Sequence, residues 1–252
     1  MADLTDFRGK SALVTGAASG IGAAVARWLD ARGIARLVLV DRDAEALGAL
    51  ELSCECERVA GDVSDPALWD RLPLAPLDHA LINAGIASGA PIAECDFAEW
   101  RRVMAVNLDG VFLSLQAAMR AISGAGSVVV SASISGVKAE PGTAAYGASK
   151  AALIQLAKVA AKEGAPRGLR VNAIAPGGVD TPIWDQTPFF RDLVDQHGGD
   201  RDAALTAMAA MATPLGRYAS ADEIAAQIGF LLSDAAATIT GATLVSDGGY
   251  SL

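Results

Sequence analysis

The chain has 252 residues, 52 % of them hydrophobic and only 5 % aromatic, a composition that fits one large α/β domain with an aliphatic, alanine-rich core. Its net charge of -9 argues against nucleic acid and against anionic membrane as partners, since both demand a basic face. No apolar run approaches the ~20 residues of a membrane span, and the polar residues 1–10, with Asp3 and Asp6, are not a signal peptide.

Residues 11–15 read as a first strand, and the pattern over 20–32 as a helix. Between them lie Gly16, Ser19, Gly20, Ile21 and Gly22, spaced G-x-x-x-G-x-G. Glycines there allow a tight turn and a close approach of backbone to phosphate, and the helix start offers free N–H groups to an anion. Residues 36–40 form a second strand ending on Asp41, 57–60 a third ending near Asp62 and Val63, and 79–82 a fourth ending on Asn83, Ala84 and Gly85. Helical periodicity runs over 97–122, and 127–131 is a fifth strand. A helix over 146–163, a sixth strand over 170–174, a helix over 222–232 and a last strand over 243–245 complete the series. Such alternation predicts a Rossmann-type, doubly wound parallel sheet of about seven strands, helices on both faces, in a single domain over 1–252.

The stretch from about 180 to 214 is long, carries Trp184, Phe189 and Phe190, and is expected to be a substrate lid rather than an ordinary pair of surface helices. Cys54, Cys56 and Cys95 are an odd set in a chain this long, and the two histidines lie far from them. Reduced thiols in a cytoplasmic protein, with no metal site, are the expectation.

Asp41 ends the second strand about 20 residues after the glycines, where an acid meets an adenosine ribose diol. Its charge favours NAD(H) over NADP(H), although Arg42 beside it is able to pair with a 2′-phosphate. Asp62 is placed to accept from an adenine amino group, Asn83 to fix its loop, and Gly85 to let backbone approach the cofactor. Tyr146 and Lys150 stand one helical turn apart and share a face. A lysine cation lowers a neighbouring phenol from its ordinary value near 10 and is able to hold a ribose. Ser133 ends the fifth strand and would donate to a substrate oxygen as charge develops there. Together these residues describe a site for hydride transfer at a carbinol or carbonyl carbon.

On Thr15, Gly16, Gly20 and Gly22, on Asn83-Ala84-Gly85, Asn107, Ser133, Tyr146-x3-Lys150, Pro176-Gly177 and Asp247-Gly248-Gly249, the chain resembles the short-chain dehydrogenase/reductases over nearly its whole length. The resemblance implies Tyr146 as acid/base, Ser133 as substrate-orienting group, Lys150 as the residue that lowers the phenol pKa, and Asn107 positioning a water of the proton relay. It also implies Pro176, Gly177 and Val179 along the cofactor, Thr181 on its carboxamide, and a homotetramer. Two departures stand out: Ile82 replaces a second asparagine, and the stretch between Asp62 and Asn83 is short, with room for a helix of a turn or two.

These readings lead to an NAD(H)-dependent oxidoreductase acting on a secondary alcohol or its ketone. Trp184, Phe189, Phe190, Ile86 and Ile134 suggest a hydrophobic or aromatic substrate. An NADPH-dependent ketoreductase, for example of acyl thioesters, and a non-catalytic cofactor sensor of the same fold are the alternatives.

Overall fold

Strands buried on both faces need apolar side chains at every position, and the central strands here have them. The computed structural model describes residues 4–252 apart from 73 and 75. Its first half runs β1 (Ser11–Thr15), α1 (Gly20–Asp30), β2 (Arg36–Asp41), α2 (Ala44–Gly48), β3 (Glu55–Ala60), α3 (Pro66–Arg71) and β4 (His79–Ile82). There follow α4 (Phe97–Met104), α5 (Gly110–Ala121), β5 (Gly126–Ser131), α6 (Ala144–Gly164) and β6 (Leu169–Pro176). The chain closes with β7 (Val179–Asp180), α7 (Pro188–Gln196), α8 (Arg201–Ala212), β8 (Ala219–Ser220), α9 (Ala221–Leu232) and β9 (Thr243–Ser246).

Seven strands form one sheet in the order β3-β2-β1-β4-β5-β6-β9, every pairing parallel. Alternate side chains serve opposite faces. Val14, Leu39, Leu81 and Val129 pack with α1 and α9, while Leu13, Val38, Ile82 and Val130 pack with α5 and α6. The third strand begins at Glu55, two residues before the sequence reading, because its register follows β2 from Arg36 onward. The helix between the third and fourth strands is short, six residues capped by Asp65 with Pro66 at its start.

The periodicity over 97–122 is not one regular helix. Residues Ala105–Asp109 form a π-helical turn between α4 and α5. A π turn adds a residue without breaking the apolar stripe, so periodicity alone does not reveal it. Among the described residues, no helix is long and apolar enough to cross a membrane, and no group of three or more His, Cys, Asp and Glu side chains is set to hold a metal ion.

Candidate active site

β1 and β4 are neighbours, and the chain winds away from them in opposite directions along the sheet. A crevice opens outside the strand ends at such a switch point. Here it is a cavity of about 610 Å³, lined by residues that follow the C-terminal ends of β1 to β6. Gly16, Ser19, Gly20, Ile21, Asp41, Arg42, Asp62 and Val63 all reach it, as do Asn83, Ala84, Gly85, Pro176, Gly177, Val179 and Thr181.

The glycine loop is built to bring backbone close. Gly16 has φ +66°, and a Cβ there would lie 2.9 Å from the Ala84 Cα. Gly22 is not among the residues that line the cavity. It lies behind the wall, where a Cβ would collide with the Gly16 carbonyl oxygen, so it serves helix packing. The Ser19 side chain makes no cap bond to α1, and the first turn carries no acid. The N–H groups of that turn are therefore left for an anionic ligand, which is the observation that fits a dinucleotide pyrophosphate.

Asp41 is oriented from both sides: Oδ2 accepts from Ala18 N at 3.0 Å and Oδ1 from Asp43 N at 3.0 Å. Each carboxylate oxygen has a second lone pair, so both keep an acceptor for a ribose diol. Asp62 is more committed, because its Oδ1 takes both Ser64 N (2.8 Å) and Ser64 Oγ (2.7 Å), leaving Oδ2 for an adenine amino group. Asn83 is held on three sides of its loop. Its N–H and that of Ala84 donate to Thr15 Oγ1 (2.9 and 3.2 Å), and Ser131 Oγ donates to Asn83 Oδ1 (2.9 Å). Thr15 and Ser131 thus stitch together the ends of β1, β4 and β5, beside a fully buried Ile82.

Ser133 precedes a short 3₁₀ turn over Ile134–Gly136, and its Oγ accepts from Ser135 N at 3.2 Å. Tyr146 and Lys150 lie on the first turns of α6, with Lys150 Nζ 5.6 Å from the centre of the Tyr146 ring. All three residues line the cavity. Lys150 is buried and donates to the Ser131 carbonyl at 2.9 Å. Burial pulls its ammonium down to about 8, which leaves it mostly charged at neutral pH. Burial also raises the Tyr146 phenol, and the hydrogen bond with Ser133 pulls it partly back. The expected lowering by Lys150 is not the ruling influence here, since its ammonium is turned to the Ser131 carbonyl and the phenol is desolvated.

Asn107 sits in the π turn, fully buried and outside the cavity wall. Its Oδ1 accepts from Ile86 N (2.8 Å), and its Nδ2 donates to Ile86 O (3.0 Å) and Ser149 Oγ (3.3 Å). Its amide therefore holds the backbone after Gly85 rather than facing the cavity.

The stretch expected to be a lid contains two packed helices, and its first residues cover the cavity. Arg201 binds that segment down through Asp180 (2.8 Å), Asp185 (2.9 Å) and the Thr181 carbonyl (3.3 Å). Trp184 lines the cavity, donates to the Val179 carbonyl at 2.8 Å, and stacks on Tyr218 with ring centres 5.7 Å apart and planes 3° from parallel. Ile86 and Ile134 also line the cavity, but Phe189 and Phe190 do not. Phe189 is 65 % exposed, whereas Phe190 is 1 % exposed in a cluster with Ala204, Leu205 and Met208. Successive helical residues point about 100° apart, and α7 turns Phe190 inward against α8.

Sequence reading missed Glu140, Tyr218 and Tyr250, all on the cavity wall. Tyr250 had a signal: it follows Asp247-Gly248-Gly249 after the last strand. The Asp247 carboxylate accepts from Gly249 N (2.9 Å) and Ser251 N (2.8 Å), forming the turn that holds Tyr250.

A family model described as enoyl-(acyl carrier protein) reductase matches residues 16–251. The cis-4-hydroxycyclohexanecarboxylate dehydrogenase of Sinomonas cyclohexanicum is 40 % identical over 257 residues, covering 97 % of this chain and 98 % of that protein. The galactitol 2-dehydrogenase (L-tagatose-forming) of Cereibacter sphaeroides is 40 % identical over 266 residues, covering 98 % of each. The crystal structure of L-sorbose reductase from Gluconobacter frateurii, complexed with NADPH and L-sorbose, superposes with a TM-score of 0.91 at 28 % identity over 99 % of both chains. Full-length matches of this strength, on a parallel sheet whose crevice gathers Ser133, Tyr146 and Lys150, show that the chain belongs to the short-chain dehydrogenase/reductase family of oxidoreductases.

Proposed function

We propose that the protein is an NAD(H)-preferring oxidoreductase that interconverts a secondary alcohol and a ketone, on a substrate with a hydrophobic or aromatic body. The observation that carries this reading is the meeting of Asp41, Ser133, Tyr146 and Lys150 on one cavity. A nicotinamide dinucleotide bound there supplies the hydride chemistry.

The Ser19–Gly22 turn would hold the pyrophosphate, Asp41 the adenosine ribose, Lys150 the nicotinamide ribose and Thr181 the carboxamide. Pro176, Gly177 and Val179 would run along the cofactor. Tyr146 moves the proton at the substrate oxygen. Its raised phenol is protonated at rest and donates to the developing alkoxide during reduction; for oxidation the phenol must first release that proton to solvent, and the phenolate then takes the proton of the substrate hydroxyl. Ser133 donates to that oxygen and keeps it within reach of the phenol. Asn107 supports the relay by fixing the Ile86 backbone, beside which a water would stand. The wall contributed by Ile86, Ile134 and Trp184 supports an apolar substrate body. The reading carries with it a homotetramer, supported by exposed Phe97 and Phe112, and a cytoplasmic setting, supported by three free cysteines.

A second reading, the NADPH-dependent ketoreductase, is favoured by Arg42, which lines the cavity beside Asp41. The two are separated by kcat/KM with NAD and NADP on one shared alcohol. The carboxylate of Asp41 sets negative charge against a 2′-phosphate in a partly desolvated crevice, so NAD should be the better substrate. Asp41→Ala should narrow the gap by leaving Arg42 free for the phosphate. A wild-type preference for NADP would replace the first reading by the second.

A further inference from the structure

The cavity wall carries a second polar group that proton transfer does not use. Glu140 lies on the loop that leads into α6, and Tyr250 on the turn that follows β9. The Glu140 carboxylate receives the Lys138 ammonium at 3.3 Å and a hydrogen bond from the Tyr250 hydroxyl. Lys138 is itself held, donating to the Tyr250 carbonyl at 3.0 Å with its Nζ 3.9 Å over the Tyr250 ring. Burial and the facing carboxylate push the Tyr250 phenol up to about 12, so it stays protonated and committed as a donor.

Such a group offers acceptors to whatever fills the cavity. A carboxylate has about four lone-pair sites, and Lys138 and Tyr250 occupy two of them. A ligand carboxylate or thioester carbonyl would set lone pair against lone pair. An ammonium would add a second cation where Lys138 already balances the charge. A neutral hydroxyl is a donor that the remaining sites accept at no cost in charge. On the same wall Trp184, Tyr218, Ile86 and Ile134 present apolar faces suited to the C–H face of a ring or chain, between the neutral hydroxyls of Ser88, Ser135, Thr143 and Thr187.

We propose that Glu140, held by Lys138 and Tyr250, is a specificity-determining residue that binds a second hydroxyl of the substrate, so that the enzyme acts on neutral diols with an apolar ring or chain in preference to monohydric alcohols and hydroxy acids. This rests on the secondary-alcohol reading above. The test compares kcat/KM for cyclohexane-1,4-diol, cyclohexanol and 4-hydroxycyclohexanecarboxylate, with saturating NAD and then NADP. A hydrogen bond to a charged acceptor corresponds to about 10- to 100-fold in rate. Wild type should favour the diol over both others by about that factor. Glu140→Leu should erase the diol's advantage over cyclohexanol, and the isosteric Glu140→Gln should keep part of it. Equal use of diol and cyclohexanol, preference for the acid, or an equal loss on both alcohols in Glu140→Leu would overturn the proposal. Turnover of none of them with either cofactor would tell against the alcohol reading instead. The thermal shift that the diol gives the NADH complex then judges Glu140 independently: a shift lost in Glu140→Leu supports the proposal, and an equal shift in both proteins overturns it.

Discussion

At the scale of single residues the two serines near the end of β5 are the sharpest test of the site. Ser133 shares a hydrogen bond with the Tyr146 hydroxyl, whereas the Ser131 hydroxyl is spent on Asn83. The lysine needs only the backbone carbonyl of Ser131, which survives substitution. Tyr146→Phe should therefore lower kcat by about 10²–10⁴-fold while NADH still binds, as expected for loss of a general acid. Ser133→Ala should lose turnover heavily, and Ser131→Ala far less. Steady-state kinetics with fluorescence titration of NADH checks all three, and a Ser131 effect larger than that of Ser133 would mean that the catalytic serine is misassigned. The four residues Asp41, Ser133, Tyr146 and Lys150 were legible because each is fixed by a strand end or a helical turn close by in sequence. Glu140 and Tyr250 were not, since their meeting depends on a loop and a C-terminal turn 110 positions apart, which no local pattern encodes.

At the scale of elements, the seven strands of the main sheet were legible to within about two residues at each end, because a parallel sheet covered on both faces writes itself as short apolar runs, whereas the two-residue strands β7 and β8 carry no such run and were not read. What stayed hidden was direction within irregular segments. The π turn at Ala105–Asp109 preserved the apolar stripe of its flanking helices, so the pattern did not show that Asn107, whose place in the relay came from the resemblance, is buried with its amide on the Ile86 backbone. The segment after β7 misled in the same way, because three aromatic residues close in sequence point to three different places. Trp184 faces the cavity, Phe190 the α7–α8 interior and Phe189 solvent. Substitution to alanine should separate them. Trp184→Ala should raise substrate KM more than it weakens NADH binding, since it removes the wall that stacks on Tyr218. Phe190→Ala should cost about 3 kcal/mol of stability, in the range for a fully buried phenylalanine. Phe189→Ala should change neither by more than about 0.5 kcal/mol or its kinetic equivalent, as for ordinary surface substitutions. Denaturant unfolding together with substrate and NADH titrations reads the three outcomes. A stability loss at Phe189 matching that at Phe190 would show that α7 is rotated from this arrangement.

At the scale of the whole molecule, one buried histidine ties the sheet to its covering helix on the side away from the cavity. His79 opens β4 opposite Ser127 of β5, and its Nδ1 lies 2.8 Å from Ser127 Oγ. That hydroxyl donates to the Leu232 carbonyl at the end of α9 (2.7 Å), so Nδ1 must carry the proton and donate to Oγ. Arg170 closes the same helix end through the carbonyls of Leu231, Leu232 and Ser233. Burial dominates the electrostatics of the ring and pulls its pKa from 6.5 to about 4. The sign follows from proton counting: between those two values the unfolded chain holds a proton on this histidine that the folded chain refuses. Its contribution is therefore fully present above pH 6.5 and is lost as pH falls toward 4, at up to about 1.4 kcal/mol per pH unit and about 3 kcal/mol in all. Carboxylates whose pKa is lowered by their partners, such as Asp30, Asp78 and Asp247, act in the same direction but only below their ordinary value of 3.8. The upper part of the acid transition thus belongs to His79 more than to them. His79→Gln keeps a side chain that reaches Ser127 without a titrating ring. Urea unfolding between pH 4 and 7 should show a slope of stability against pH that is shallower in the variant by close to one proton. At pH 7 the variant should be the less stable protein, and toward pH 4 the two curves should converge. Parallel curves for wild type and variant would mean that the ring accepts its proton in the folded state, and that the link between β4, β5 and α9 is looser than its geometry implies.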